Sequence, residues 1–269
     1  MTEGIIYIIT DERYREEAKK SVKQLKKHND YPVTFITDQR FDLDILDKQI
    51  ILEDEIEGSA KVQLLEKTPY DKTLYLDTDT FVTDNITELF TLLEKYDIAF
   101  AHNPERASEE IQGVPDSFPE PNTGVIPYKK TDNVVQLFEN WQKEYKNRNY
   151  NSHRDQPAFR KALYNTKVNF TILPSEYNCR FGLPGFLDEK AKILHGRLDN
   201  YEGIGLRYTC KPEKALKTIN SVKGARSHYF KRNKVVLKRN NPAIWDKVYS
   251  ALKWYGAKET LRKMKRRMF

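Results

Sequence analysis

Two aspartates follow an apolar segment in the run from Leu74 to Val82, which reads Leu-Tyr-Leu-Asp-Thr-Asp-Thr-Phe-Val. One residue separates Asp77 from Asp79, so both carboxylates can turn toward one cation once the chain leaves a strand. Carboxylate oxygens suit Mg²⁺ or Mn²⁺, and such ions keep positions open for a second ligand such as a diphosphate. The metal would neutralise the charge of a diphosphate leaving group. In the alternative reading, one aspartate caps the following turn and the other is solvated.

An alternation of strands and helices positions these aspartates. The predicted strands are residues 4–10, 32–37, 49–52, 73–76, 97–101, 123–128, 168–173 and 192–194, and the predicted helices are residues 11–28, 59–68, 85–96, 131–147 and 156–164. This order predicts an α/β fold with a mainly parallel sheet and right-handed crossovers. Such sheets bind ligands beyond the carboxyl ends of their strands, so Thr10 and Asp77 should face one crevice. Residues 102–121 contain four prolines and no periodicity, which is typical of a long functional loop or lid.

Other polar residues stand at predicted element ends. Thr10 and Asp11 end the first strand, where an aspartate could accept a hydrogen bond from a base N–H and the Tyr14 ring could stack on the base. In the alternative reading, Asp11 caps the helix that it precedes, and the two roles are compatible.

Two further groups could contact a sugar. Asn122 precedes Thr123 and Gly124, so that its amide could meet sugar hydroxyls while the glycine admits close approach of the ligand. An ordinary turn before a strand is the alternative. Asp155 and Gln156 begin a helix, so their side chains could point into the crevice. Asp155 as a helix N-cap is the alternative.

Together these segments resemble nucleotide-sugar glycosyltransferases of the GT-A fold, in particular the retaining, galactosyltransferase-like group called family 8. The matches, in order, are Ile8-Ile-Thr-Asp-Glu-Arg-Tyr14, Leu76-Asp-Thr-Asp79, Asn122-Thr-Gly-Val125, Asp155-Gln156 and His195-Gly196. They cover roughly residues 4–200. The family's Gly-x-x-Lys-Pro-Trp continuation after the histidine is absent, and His195-Gly-Arg-Leu-Asp199 stands in its place.

The resemblance implies a role for each matching residue. Metal binding is implied for Asp77, Asp79 and His195; donor binding for Thr10, Asp11, Tyr14, Lys61, Asp77, Thr78, Asn122, Thr123, Gly124 and Arg197; and a catalytic position beside the anomeric carbon for Asp155 and Gln156. Taken alone, a histidine is more often structural than a ligand, and His228 is a second candidate. Lys61 could equally lie on a helix surface.

The charge of the chain is uneven. The net charge is +7, yet residues 1–220 contain 31 Lys and Arg against 37 Asp and Glu, whereas residues 221–269 contain 15 against 2. Cations alternate with Trp, Tyr and Leu near the C-terminus, which favours a basic, amphipathic helical extension lying on an anionic membrane. Nucleic-acid binding and a helix packed on the body are the alternatives, and we expect no nucleic-acid partner.

We therefore predict a single Rossmann-like GT-A domain over residues 1–220 and a helical basic extension over residues 221–269. The predicted enzyme is a hexosyltransferase that uses Mn²⁺ or Mg²⁺, takes a UDP-sugar, retains anomeric configuration and acts on a glycan or lipid-linked acceptor. The start of the chain lacks a signal peptide, and Cys179 and Cys210 are typical of free thiols in a reducing compartment, so we expect a cytoplasmic protein, peripheral at the inner membrane.

Two other functions are compatible with parts of the sequence. The Asp-x-Asp-x-Thr run at Asp77 also resembles the nucleophile motif of haloacid dehalogenase-type phosphatases, although the later Gly-Asp-x-x-x-Asp motif of that family is missing. A non-enzymatic module that binds anionic surfaces would explain the basic extension. It would not explain carboxylates gathered at strand ends.

Overall fold

A computed structural model of the chain describes residues 1–53, 56, 58–105, 109–148, 154–197, 211–231, 234–239 and 257. The strands are β1 (Glu3–Ile9), β2 (Val33–Thr37), β3 (Lys48–Ile51), β4 (Lys72–Leu76), β5 (Thr80–Val82), β6 (Ile98–Phe100), β7 (Val125–Lys129), β8 (Phe170–Ile172), β9 (Cys179–Arg180), β10 (Gly185–Leu187), β11 (Ile193–His195), β12 (Arg226–Lys231) and β13 (Lys234–Arg239). The α-helices are α1 (Arg15–Leu25), α2 (Ala60–Leu64), α3 (Thr87–Leu92), α4 (Asp132–Lys146), α5 (Gln156–Asn165) and α6 (Pro212–Ile219).

A seven-stranded sheet forms the centre, in the order β3-β2-β1-β4-β7-β6-β8. The first four strands of this order are parallel to one another, and β6 is parallel to β8. Only β7 runs against its neighbours, β4 and β6, among the strands of this sheet. The predicted α/β class with a mainly parallel sheet is confirmed.

Helices cover both faces of this sheet, which explains why its strands are apolar without alternation. In β1, Ile5, Tyr7 and Ile9 pack into a core with α1 and α3, whereas Ile6 and Ile8 pack into a second core with α2, α4 and α5. The carboxyl ends of β1 and β4 lie at the same edge, because the two strands are parallel neighbours.

Two small sheets complete the fold, in the orders β5-β11-β9 and β10-β12-β13. The sequence did not predict β5, β9, β10, β12 or β13. In the first small sheet β11 pairs antiparallel with β5, and His195 stands opposite Thr80. The second packs on α6 through a third apolar core that contains Leu187, Ile219 and Val235.

The prediction of a helical extension from residue 221 onward is wrong over residues 226–231 and 234–239, which form the antiparallel pair of strands β12 and β13. The physical reason is alternation with a period of two: Arg226 and His228 are buried on one face of β12, and Tyr229 is exposed. Residues 240–269 lie outside the described part of the chain, apart from Ala257, which is helical. The domain boundary at residue 220 stays a prediction. None of the helices in the described ranges has the length and hydrophobicity needed to cross a bilayer.

The described parts of the proline-rich segment 102–121 are held by one buried cation, Arg160 of α5. Its guanidinium donates to the carbonyl oxygens of Phe118 at 2.7 Å, Pro115 at 3.0 Å and Glu109 at 3.3 Å. A bridge between His102 and Pro121 closes the base of the segment. The guanidinium thus replaces the hydrogen bonds that regular structure would have provided.

We expect Arg160→Ala to destabilise the protein by about 2 kcal/mol or more, because the carbonyl oxygens of Phe118 and Glu109 lose this donor, whereas Pro115 O keeps a hydrogen bond from Phe118 N–H. Lys161→Ala is the matched control on the same helix, since Lys161 forms a partly exposed ion pair with Glu144 worth about 1 kcal/mol at most. Urea unfolding measures both. Equal losses in the two variants would contradict the role of Arg160.

Candidate functional site

The two aspartates and His195 meet because of strand pairing. Asp77 follows β4 and Asp79 precedes β5, and the turn between these strands is closed by a hydrogen bond from Thr80 N–H to Asp77 O. Opposite Thr80 stands His195, and the next residue, Gly196, donates its N–H to Asp79 O at 3.0 Å. The backbone therefore holds the histidine beside the aspartates.

Asp77, Asp79 and His195 form a group whose ligand atoms all lie within 4.8 Å of one another. His195 Nε2 is 3.2 Å from Asp79 Oδ1 and 3.6 Å from Asp77 Oδ2. Burial raises the pKa of Asp79, but the charge and hydrogen bond of His195 outweigh it and the net pKa is lowered. Two carboxylates and one imidazole nitrogen are a donor set that fits a divalent cation such as Mn²⁺ or Mg²⁺. The second candidate, His228, lies instead beside Cys179, with 3.7 Å between Nε2 and Sγ.

Asn122, whose amide the sequence predicted to meet sugar hydroxyls, is fully buried. Its Oδ1 accepts hydrogen bonds from Gly124 N at 3.0 Å and from Asn178 Nδ2 at 2.8 Å, and Asn178 Oδ1 lies 2.7 Å from His195 Nδ1. The structure thus gives Asn122 a contact that the sequence did not predict. A direct contact with a sugar stays a prediction.

The need for a glycine at position 124 also differs from the predicted one. A Cβ on this residue would lie 2.0 Å from His195 Cε1, so the glycine admits the histidine ring and not only a ligand. Its carbonyl oxygen accepts a hydrogen bond from Asp77 N–H at 2.8 Å. Gly124 therefore contacts two of the three candidate metal ligands.

Lys61 of α2 links the candidate metal ligands Asp77, Asp79 and His195, called the metal group below, to the start of α5. Its Nζ lies 3.0 Å from Asp77 Oδ1 and 3.2 Å from Asp155 Oδ2, and it donates to Thr123 O at 3.1 Å. Burial lowers the pKa of Lys61, but the carboxylates of Asp155 and Asp77 outweigh it and the net pKa is raised. Lys61 is consequently a mostly buried cation between two carboxylates, with 14% of its side chain exposed, and the surface alternative is wrong.

Asp155 is the N-cap residue of α5 by position, but its side chain makes no capping hydrogen bond, so the N-cap alternative does not account for the carboxylate. Its Oδ2 instead accepts a hydrogen bond from Thr123 Oγ1 at 3.0 Å. Gln156 begins α5 and is partly exposed. The geometry thus turns the Asp155 carboxylate toward Lys61 and the metal group.

Sequence reasoning missed two residues that contact this region, Tyr75 and Glu17. Tyr75 donates its OH to Asp77 Oδ1. Glu17 of α1 accepts a hydrogen bond from Thr78 Oγ1, and its Oε2 lies 3.7 Å from Arg197 Nε. Burial, and after it the charge of Asp79, raises the pKa of Glu17. A charged residue on the apolar face of α1 was the available signal.

The residues predicted to bind the nucleoside lie at the end of β1. Asp11 caps the short helix at Glu12–Tyr14 and pairs with Arg13, so the capping alternative is correct, and base recognition stays a prediction. The guanidinium carbon of Arg197 lies 5.0 Å from the centroid of the Tyr14 ring. Two residues assigned separately to donor binding are therefore neighbours.

We expect Gly124→Ala to abolish Mn²⁺ binding, because the methyl group would displace the His195 ring. Gly113→Ala is the control: its φ of +84° makes the substitution strained, at about 1–3 kcal/mol, while no atom lies within 4 Å of the new Cβ. The Mn²⁺-induced rise in melting temperature measures both variants. Retention of this rise in Gly124→Ala would contradict the predicted displacement.

Comparisons with known proteins agree with this geometry. Residues 70–195 match the family model of nucleotide-diphospho-sugar transferases. The fold is similar to that of the glycosyltransferase GlyE of Streptococcus pneumoniae TIGR4, with a TM-score of 0.56, 16% identity, and coverage of 77% of this chain and 58% of that chain. It is also similar to the bifunctional glycosyltransferase WbbM, with a TM-score of 0.52, 16% identity, and coverage of 74% of this chain and 46% of that chain.

The chain thus spans about half the length of these two structures. A search of curated proteins finds no match. The shared fold confirms the predicted GT-A type of fold. The family model agrees with the predicted enzyme class, a glycosyltransferase, over residues 70–195.

Proposed function

We propose that this chain, whose residues 70–195 match the family model of nucleotide-diphospho-sugar transferases, transfers a sugar from a UDP-linked donor to a hydroxyl of a glycan or lipid-linked acceptor. The observation that carries the proposal is the convergence of Asp77, Asp79 and His195 at the carboxyl edge of the sheet, next to Asp155. The phosphatase and the non-enzymatic alternatives have no comparable support.

In this proposal Asp77, Asp79 and His195 hold Mn²⁺ or Mg²⁺. Such an ion, when bound, supplies positive charge to the diphosphate as it leaves the sugar. Arg197, beside the metal group, adds a guanidinium that can bind phosphate oxygens in a bidentate manner. Thr10, Asp11 and Tyr14, at the end of β1, contact the nucleoside.

The sugar lies at the other end of the site, near Asp155, Gln156 and Thr123. The Lys61 ammonium stays charged because two carboxylates stabilise it, and it keeps the Asp155 carboxylate directed toward the metal group. A carboxylate held beside the anomeric carbon stabilises positive charge that develops there. We assign retention of configuration to this arrangement on the basis of the family 8 resemblance.

The proposal predicts that Asp79→Asn lowers sugar transfer at least about a hundredfold, because a metal contributes several kcal/mol and each 1.36 kcal/mol is tenfold in rate. Asp84→Asn is the control, because Asp84 is an exposed aspartate beyond β5 whose carboxylate accepts a hydrogen bond from the neighbouring Asn85 N–H. A panel of UDP-, GDP- and CDP-sugars, with Mn²⁺ or with EDTA, measures the transfer, and proton NMR of the first product reports the anomer. Full activity of Asp79→Asn, or turnover in EDTA, would refute the metal assignment.

Attachment to an anionic membrane surface is the second part of the proposal. One face of the sheet β10-β12-β13 presents Phe186, which is 52% exposed, and Tyr229, which is 36% exposed. Val236 pairs with Tyr229, and the exposed Lys234 and Lys238 lie on either side of Val236 on the same face of β13. Aromatic side chains beside lysines suit the interface of a membrane with anionic headgroups. This surface precedes the basic segment 240–269 and would place the enzyme on the inner membrane near a lipid-linked acceptor.

For this attachment we expect the double change Lys234→Glu and Lys238→Glu to weaken binding to phosphatidylserine vesicles about 30-fold, since each lysine is worth about 1 kcal/mol. The double change Lys143→Glu and Lys146→Glu on α4 alters the net charge equally and serves as the control. Co-sedimentation at constant ionic strength measures both pairs. Equal weakening in the two pairs would show that this face of the sheet β10-β12-β13 has no special role.

A further inference from the structure

The orientation of two buried amides next to His195 follows from one backbone group. Gly124 N–H is a donor by its chemistry, so the atom of Asn122 that lies 3.0 Å from it must be the oxygen. A flipped Asn122 would direct its NH₂ at this donor and lose both hydrogen bonds to Oδ1. The observed orientation leaves Asn122 Nδ2 without a partner among the described residues, which costs about 1–3 kcal/mol and shows that the two bonds to Oδ1 dominate.

The same reasoning extends to Asn178, which is 4% exposed. Because Asn122 Oδ1 is an acceptor, the atom of Asn178 that lies 2.8 Å from it must be the NH₂ group. Asn178 Oδ1 is then the atom 2.7 Å from His195 Nδ1. An oxygen at this distance requires a proton on Nδ1.

In the neutral imidazole, a proton on Nδ1 leaves Nε2 with a lone pair, and Nε2 faces the Asp77 and Asp79 carboxylates. Without an acceptor at Nδ1 the opposite tautomer would be favoured, because Nε2–H could donate to Asp79 Oδ1 at 3.2 Å. That tautomer has no lone pair for a metal at Nε2. The choice between a metal ligand and a carboxylate-bonded histidine therefore depends on the group at Nδ1.

We propose that Asn178 is a positioning residue that keeps His195 in the Nδ1–H tautomer and so reserves Nε2 for the divalent cation. This inference rests on the metal site of the proposed function. Asn178 has no assigned contact with the sugar donor or with the sugar acceptor, and it acts through its hydrogen bond with His195. It is itself oriented by the chain of hydrogen bonds that starts at Gly124 N–H.

Three variants separate this role from a general need for a buried amide. Asn178→Leu removes the acceptor and keeps a similar volume, and Asn178→Asp keeps an oxygen facing Nδ1. Asn29→Leu is the matched control, because Asn29 is 5% exposed and hydrogen-bonded to Leu25 O and Ile86 N, away from the metal group. Mn²⁺ affinity is measured by electron paramagnetic resonance of the free ion. The tautomer is read from the ¹⁵N shifts of His195 in metal-free protein, recorded over a pH series that includes the range in which these shifts show a neutral imidazole.

We expect Asn178→Leu to bind Mn²⁺ about 10–100-fold more weakly, as is usual when a partner of a metal-bound histidine is lost. Its His195 should also lose the Nδ1–H signature. Asn178→Asp should keep that signature and bind more tightly than Asn178→Leu, and Asn29→Leu should keep both wild-type properties. If Asn178→Leu does not fold, Asn178→Ala, which removes the same acceptor, is measured in its place, and an unchanged Nδ1–H signature in that variant would overturn the proposal.

The proposal is overturned if His195 of Asn178→Leu keeps the Nδ1–H tautomer, or if Asn29→Leu weakens Mn²⁺ binding as much as Asn178→Leu does. Failure of the proposed function gives a different result. Wild-type protein that neither binds Mn²⁺ nor transfers a sugar refutes the metal site, whereas the ¹⁵N shifts of the metal-free variants still decide whether Asn178 sets the tautomer.

Discussion

The antiparallel pairing of β5 with β11 is the constraint on which the candidate metal group depends. It joins a segment directly after the central strand β4 to a segment near the end of the matching region, and it places His195 opposite Thr80. Side chains alternate along a strand, so a slip of one residue would turn the His195 ring to the other face of the small sheet. The hydrogen bond from Gly196 N–H to Asp79 O adds to this register. The metal group is thus specified mainly by backbone pairing.

The surrounding side chains refine what the backbone provides. Gly124 leaves room for the His195 ring, Lys61 balances the charge of Asp77, and Asn178 contacts the imidazole nitrogen that faces away from the aspartates. Lys61 lies in α2, whereas Gly124 and Asn178 lie in two separate loops. A site of this kind requires both cores and the small sheets to be formed together.

The sequence predicts the central sheet well because strands such as β1 and β4 are buried on both faces and leave long apolar runs. It also predicts that Asp77, Asp79 and His195, which stand at strand ends, lie close together. It does not predict β5 or β9, because three or two residues carry no readable period. The roles of Asn122 and Asn178 follow from hydrogen bonds across the fold, and these have no signature in local sequence. The strands β12 and β13 were not predicted, because their basic residues favoured an amphipathic helix over an alternation with a period of two.

Lys61 has a consequence for how the two ends of the site communicate. One ammonium group is shared by Asp77, at 3.0 Å, and Asp155, at 3.2 Å. A cation that binds Asp77 takes part of the negative charge that Lys61 neutralises, and the ammonium is then attracted more strongly to Asp155. Because such coupling is reciprocal in free energy, a ligand that changes the charge around Asp155 changes the cation affinity at Asp77 by the same factor. In the proposed function, metal binding at Asp77 and sugar binding near Asp155 are therefore thermodynamically linked through the single side chain of Lys61.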